Sequence, residues 1–204
     1  MKSRTELAHR CLLLENKEIA RGWHLLELEA PLLAHAGPGQ FVQLRIGNLR
    51  RPVSIHYADP AAGRIRLLIR IAGRGTALAA RIKAGEELDL LGPFGRGFPF
   101  LDEERPALLV GGGIGMAPLF FAAVQRRRAG LPFELLLGGK GGALLPPDGY
   151  FLAHKITPLI VTDDGSRGGS GLVTALLEER LALTREPPRI HACGPAPMLA
   201  RVVE

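Results

Sequence analysis

Up to about Pro99 the chain alternates apolar and polar residues in short runs: HLLELEA at 24–30, FVQLRI at 41–46, RIRLLIRI at 64–71 and EELDLLG at 86–92. A period of two puts successive side chains on opposite faces of an extended strand, so these runs predict half-buried β-strands. AGPGQ at 36–40 and ADPAAGR at 58–64 separate them with turn-forming residues. This is the rhythm of an antiparallel barrel or sandwich, and the first half reads as a small β-barrel. TALAARIKAG at 76–85 reads as one short helix, with Thr76 as its N-cap and Gly85 just past its end.

After PFGRGFPFLDEERP at 93–106 the pattern becomes strand, helix, strand: ALLVGG at 107–112, MAPLFFAAVQRRRAG at 116–130, FELLLGG at 133–139, PLIVTDD at 158–164, GLVTALLEERLAL at 171–183 and RIHACG at 189–194. Apolar strands alternating with helices predict a parallel sheet with helices on both faces. The expected fold class is therefore an N-terminal antiparallel β-barrel followed by a C-terminal parallel-sheet α/β domain, with residues 1–100 in the first and 101–204 in the second.

The 19 residues 106–124 carry no charge and approach the length of a membrane span. They hold four glycines and two prolines, however, and Pro118 falls where a helix has its first turn. Strand, turn and helix explain the run better: the strand ends at Val110, Gly111 to Gly115 make the turn, and the helix opens around Met116 to Pro118. Amides and dipole at such a helix start favour an anionic diphosphate. No membrane association is expected.

With 204 residues, 47% hydrophobic and 23% charged, the chain is expected to be ordered nearly throughout. The net charge of +6 suits an anionic partner, but basic residues are dispersed and only 5% of residues are aromatic, which argues against nucleic acid. The compact run Arg126–Arg127–Arg128 reads as a solvated helix face. Cys11 and Cys193 are the two cysteines, far apart, and the six histidines show no HExxH, so no metal site is expected. CLLLENKEIA at 11–20 is broken by charges before a signal-peptide core could form, which makes cytoplasmic residence the default.

The glycine turn GGGIGM departs from G-x-G-x-x-G at Met116 and is weak alone. It stands, however, in an ordered set: RRPVSI at 50–55, RIAGRGT at 70–76, GPFGRGF at 92–98, GGGIGMAP at 111–118, TDDGSRGGSGLVT at 162–174 and ACGPAPML at 192–199. Over essentially its whole length the chain resembles the ferredoxin-NADP reductase superfamily, and within it the electron-transfer subunits of the class 1B dihydroorotate dehydrogenases.

The resemblance implies FAD on the barrel, held by Arg51, Pro52, Val53, Ser54, Leu68, Ile69, Arg70, Gly73, Gly75 and Thr76, with Ser54 near the flavin nitrogen that accepts hydride. It implies NADH on the second domain, NADPH remaining possible, held by Gly111, Gly112, Gly113, Ile114, Gly115, Cys193, Gly194 and Pro195. Ser54 and Cys193 are the catalytic candidates, Cys193 beside the nicotinamide. Each also has a plainer reading: Arg51 as a surface arginine, Arg70 as the polar face of its strand, the glycines as turn formers, and Cys193 as a buried small hydrophobe. His56 reads equally as a cap on the flavin pocket or a solvent-facing loop residue, and GPFGRGF equally as a ligand-approaching backbone or a linker. Asp163, Asp164 and Ser166 follow a strand and suit a ribose; acidic groups there repel a 2′-phosphate, which favours NADH, while Lys140 and Arg167 keep NADPH open.

The implied partner is a dihydroorotate dehydrogenase catalytic subunit in pyrimidine biosynthesis. In that family the subunit continues past CGPxPM into a segment whose four cysteines bind a [2Fe-2S] cluster; this sequence contains no such ligands. The alternatives are a stand-alone NAD(P)H-dependent flavin or ferredoxin reductase, a binding subunit that has lost its flavin, and a nucleic-acid binder.

Overall fold

The structure, a computed structural model, describes residues 8–204, and the chain divides into two compact units between Gly97 and Phe98. The first unit contains strands β1 (Ala8–Ala20), β2 (Trp23–Glu29), β3 (Phe41–Ile46), β4 (Leu49–Asp59), β5 (Arg64–Arg70) and β6 (Glu87–Phe94), with one helix, α1 (Arg74–Ala79). They close a barrel in the order β1-β2-β5-β4-β3-β6 with antiparallel pairings. The period of two is visible in β2, where Leu26 and Leu28 are buried while Glu27 between them accepts hydrogen bonds from Arg64 and Arg66 on the neighbouring strand.

β1 covers the stretch too charged for a signal-peptide core: Cys11 and Leu13 point inward, and the exposed Glu15 and Lys17 alternate with the half-buried Asn16. Two expectations are corrected by the structure. α1 begins at Arg74, with Gly73 rather than Thr76 as N-cap, and ends at Ala79. His56 is not a solvent-facing loop residue; it is fully buried in β4, at a bulge where Ile55 pairs with Leu67 and Tyr57 with Arg66. The extra residue of a bulge leaves the ladder and re-aims its side chain.

The second unit is a sheet in the order β10-β9-β8-β7-β11, formed by β7 (Ala107–Gly112), β8 (Phe133–Gly139), β9 (Leu159–Thr162), β10 (Gly169–Ser170) and β11 (Arg189–Cys193), all parallel. Helix α4 (Val173–Leu183) packs Val173 and Leu177 on Leu108, Val110 and Leu136, and Met198 and Val202 of α5 (Ala196–Val203) join that cluster. On the other face lies α2 (Met116–Arg128), buried along most of its length, with α3 (Asp148–Leu152) stacked on it through Phe120 and Phe151. Both faces of β7 are covered, and all six of its residues are buried, which is why its sequence is continuously apolar.

The uncharged run at 106–124 is strand, one 3₁₀ turn over Gly113–Gly115, and the start of α2. The strand reaches Gly112 instead of stopping at Val110, because Gly111 and Gly112 still pair with Leu137 and Gly138. Among the described residues no helix is long and apolar enough to cross a membrane.

Arg126 is not on a solvated face. Its side chain is fully buried and donates to the carbonyls of Leu101 (2.9 Å), Arg105 (2.8 Å) and Pro132 (2.8 Å). A buried guanidinium needs such partners to offset its lost hydration. It thereby ties the chain before β7 and the loop before β8 to the end of α2.

Candidate functional site

In the first unit, Ile55↔Leu67 is the last register position that β4 shares with β5. Beyond it residues 49–54 of β4 pair with β3, and Leu68, Ile69 and Arg70 of β5 pair with β2. The strands part there, releasing backbone edges that carry Arg51, Pro52, Val53 and Ser54 on one side and Leu68 to Arg70 on the other. A released edge also accommodates Pro52, which has no amide hydrogen to give. Pro52 lies opposite Gln43 and Ser54 opposite Phe41, so both share one face of β4.

The two arginines of RRPVSI have different fates. Arg50 donates to both oxygens of Asp89 (2.8 and 2.9 Å) and to the Gln43 carbonyl, which commits it to the barrel. Burial alone would raise the Asp89 carboxyl, but the hydrogen bonds and charge of Arg50, with Arg45, outweigh it and hold the group below the usual carboxylate range. Arg51 is exposed and crosses Gly75 so closely that a Cβ there would lie 3.2 Å from its Nε. Arg70 keeps its Nε buried with no hydrogen-bond partner. An orphaned guanidinium donor, an exposed arginine and released strand edges fit an anionic cofactor with a flat ring, as FAD is.

The Thr76 hydroxyl is committed to its own turn: it accepts from the amides of Ala72 (2.9 Å) and Gly73 (3.2 Å) and donates to the Gly73 carbonyl. Sequence reasoning missed the residue that anchors the other end of α1. Asn16 on β1 donates its amide to the carbonyls of Ala80 (3.1 Å) and Ile82 (2.7 Å), and His24 Nδ1 lies 3.1 Å from its Oδ1. An asparagine among charged residues on an outer strand gives no sequence signal of this.

In the second unit the glycine turn and the terminal CGPAPM motif come together, since β11 pairs with β7 and sets Cys193 beside Gly111. A Cβ on Gly112 would meet Met198 Sδ at 2.6 Å and Pro195 Cδ at 2.9 Å, and one on Gly115 would overlap the Cys193 carbonyl. Gly113 differs: φ is +54° and a Cβ would meet nothing within 4 Å, so its backbone faces open space. Ile114 is exposed beside it. This cradle lies at the carboxyl end of the sheet, where open parallel sheets bind ligands. Burial pushes the half-buried Cys193 thiol up, so it is a neutral thiol at pH 7 and no nucleophile. Two strand positions earlier, His191 is buried with its Nε2 unpartnered; burial, then the charges of Arg126 and Arg189, lower its pKa.

A cavity of about 520 Å³ opens past the ends of β8 and β9, lined by Lys140 to Leu144, Asp164, Ser166 and Arg167. Asp164 accepts from the Ser166 amide (2.9 Å) and hydroxyl (2.6 Å), which hold its carboxyl below the usual range, and Ser166 Oγ accepts from the Gly142 amide (2.8 Å). Arg167 donates to the Pro146 carbonyl (2.7 Å) and to Asp148.

These features define the class of ferredoxin reductase-like flavoproteins. The structure of a ferredoxin NADP+ reductase from Neisseria gonorrhoeae with bound FAD and NADP matches with a TM-score of 0.81 at 19% identity, over 97% of this chain and 89% of that one. An NADH-dependent reduced ferredoxin-NADP oxidoreductase matches with a TM-score of 0.81 at 26% identity, over 96% of this chain and 73% of that one. No family model matches the chain. Among curated sequences, the dihydroorotate dehydrogenase B (NAD(+)) electron transfer subunit of Fusobacterium nucleatum is 36% identical over 95% of this chain and 78% of its own length. That of Geobacillus kaustophilus is 39% identical over 82% of this chain and 66% of its own length. The chain belongs to the family of dihydroorotate dehydrogenase B electron transfer subunits.

Proposed function

We propose that this chain carries electrons between NAD(H) and the catalytic subunit of a dihydroorotate dehydrogenase, in the cytoplasm and in the service of pyrimidine synthesis. The barrel binds FAD through Arg51 to Ser54 and Leu68 to Arg70, with Gly73, Gly75 and Thr76 shaping the turn beside it. The second unit binds the nicotinamide dinucleotide over Gly111 to Gly115 and Cys193 to Pro195. When bound, FAD supplies a hydride acceptor that also exchanges single electrons, the property a link between NAD and a partner needs. The chain's own contribution is orientation and charge: Arg51 and Arg70 neutralise the cofactor diphosphate, Ser54 donates a hydrogen bond to the ring edge, and the neutral Cys193 packs beside the nicotinamide.

The observation that carries this reading is the parting of β4 from β5 beyond Ile55↔Leu67, next to a buried arginine nitrogen without a partner. Its test is reconstitution: the chain is mixed with a dihydroorotate dehydrogenase catalytic subunit from the same genome, and dihydroorotate-dependent NAD+ reduction is followed. Activity that needs both chains supports the reading. A chain that oxidises NADH with soluble acceptors but neither binds that subunit nor couples to it is a stand-alone reductase instead.

A further inference from the structure

Strands β1 and β2 grip both ends of the segment that carries Gly73, Gly75 and Thr76. At its entry the Ile71 amide donates to the Gly22 carbonyl (2.8 Å), and Gly22 is itself fixed, because its amide donates to Glu18 Oε1 (2.7 Å). At its exit Asn16 Nδ2 donates toward the carbonyls of Ala79 (3.4 Å), Ala80 (3.1 Å) and Ile82 (2.7 Å). Just beyond, the Gly85 amide donates to the Leu13 carbonyl (2.8 Å). A helix leaves its last carbonyls without donors of its own, and in the six residues of α1 that is a large share of the acceptors. Asn16 supplies the missing donors from a strand more than 60 positions earlier in the sequence.

We infer that Asn16 and His24 form a latch that sets how tightly the flavin is held, with His24 as the positioning residue that fixes the Asn16 amide. The inference rests on the FAD-binding reading above. A side-chain amide has an oxygen that only accepts and a nitrogen that only donates, at two ends of nearly equal shape. Turned by 180°, Asn16 would set its oxygen against the carbonyl oxygens of α1. His24 selects the productive orientation: its Nδ1 lies 3.1 Å from Asn16 Oδ1 and can only donate there, so the ring carries a proton on Nδ1. Both side chains are half-buried, where such bonds are stronger than in open water. Neither residue is among those assigned to the flavin, yet together they hold α1 in place. With α1 goes Gly75, where a Cβ would lie 3.2 Å from Arg51 Nε, so a displaced helix also loses its fit to the arginine that meets the diphosphate.

The test titrates FAD into the flavin-stripped full chain, followed by flavin fluorescence, for the wild type, His24→Phe, His24→Asn, Asn16→Leu and the double variant His24→Phe with Asn16→Leu. His24→Phe keeps a ring and removes the donor, whereas His24→Asn places an amide nitrogen where Nδ1 stood. FAD affinity is expected to fall about tenfold in His24→Phe and in Asn16→Leu, and to return to within about threefold of the wild type in His24→Asn. The double variant should be no worse than Asn16→Leu, because His24 acts through Asn16. A space-filling role for His24 would instead give losses that multiply and no rescue by the smaller asparagine. A wild-type chain that takes up no FAD overturns the flavin reading and the inference together. With FAD bound by the wild type, His24→Phe within about twofold of it, losses that multiply in the double variant, or no rescue by His24→Asn overturns the inference alone. Loss of the folded far-UV spectrum in both His24 variants overturns it too, since His24 would then be needed for folding itself.

Discussion

Gly115, at the start of α2, lies against the Cys193 carbonyl so closely that any side chain at 115 would overlap the backbone of 193–194. Two motifs about 80 positions apart in the sequence are thus one structural unit, and the glycine is required for packing rather than for backbone freedom. Gly113, two residues earlier, has the opposite character: open space and a positive φ.

These two glycines are expected to separate stability from binding. Gly115→Ala should destabilise the chain by about 1–3 kcal/mol through overpacking, and weaken dinucleotide binding as a consequence. Gly113→Ala should cost only about 1 kcal/mol, the strain of a left-handed alanine, yet weaken ADP-ribose binding strongly because its Cβ enters the cradle. Urea unfolding and calorimetry on both variants check this. Equal stability losses would contradict it.

Arg126→Met removes the donors to the carbonyls of Leu101, Arg105 and Pro132 while leaving the apolar volume filled. The Leu101 bond is buried and the other two are part-buried, and the Pro132 carbonyl keeps the Ala107 amide, so a loss of about 2 kcal/mol in urea unfolding is expected. A change below about 0.5 kcal/mol would return Arg126 to the solvated face that its sequence suggested.

His191 makes the second unit sensitive to mild acid. Its folded pKa lies below the ordinary 6.5 because of burial and then Arg126 and Arg189, so the unfolded chain takes up a proton first as pH falls. Stability is fully present above pH 6.5 and declines below it, by at most about 2 kcal/mol at pH 5 for one such group. His191→Gln should remove this part of the loss between pH 7 and pH 5, a window in which the paired carboxylates stay ionised. An unchanged pH dependence would show that His191 takes up its proton without strain.

Asn16→Asp replaces an amide that donates to the carbonyls of Ala80 and Ile82 with a carboxylate that cannot donate. The C-terminal end of α1 should loosen and FAD affinity should fall about tenfold or more, with ADP-ribose binding unchanged, since like-charged oxygens then face each other. Loss of ADP-ribose binding as well would point to general unfolding.

The fold was legible because its signals are local. The alternating runs at 24–30, 41–46 and 64–71 became β2, β3 and β5, and the glycine run gave the end of β7 and the turn Gly113–Gly115 before α2. Positions that long-range contacts decide were not legible. β1 mixes charges with its inward residues, and Arg126 looks like its neighbours Arg127 and Arg128 until the carbonyls of 101, 105 and 132 are brought around it. His56 owes its burial to a bulge, and His191 owes its environment to charges distant in the chain. Among the candidate site residues, the sequence motifs supplied the names. The parting of β4 from β5, the partnerless Arg70 Nε and the neutralised Arg167 exist only in three dimensions.

The central claim is that the barrel holds FAD, and the most direct measurement is the visible spectrum of the purified chain with identification of any released chromophore, repeated for Arg51→Ala. The account predicts a flavin spectrum, FAD as the released molecule, bleaching by NADH, and loss of most of the flavin in the variant. A wild-type chain that is colourless and cannot be loaded with FAD would contradict it.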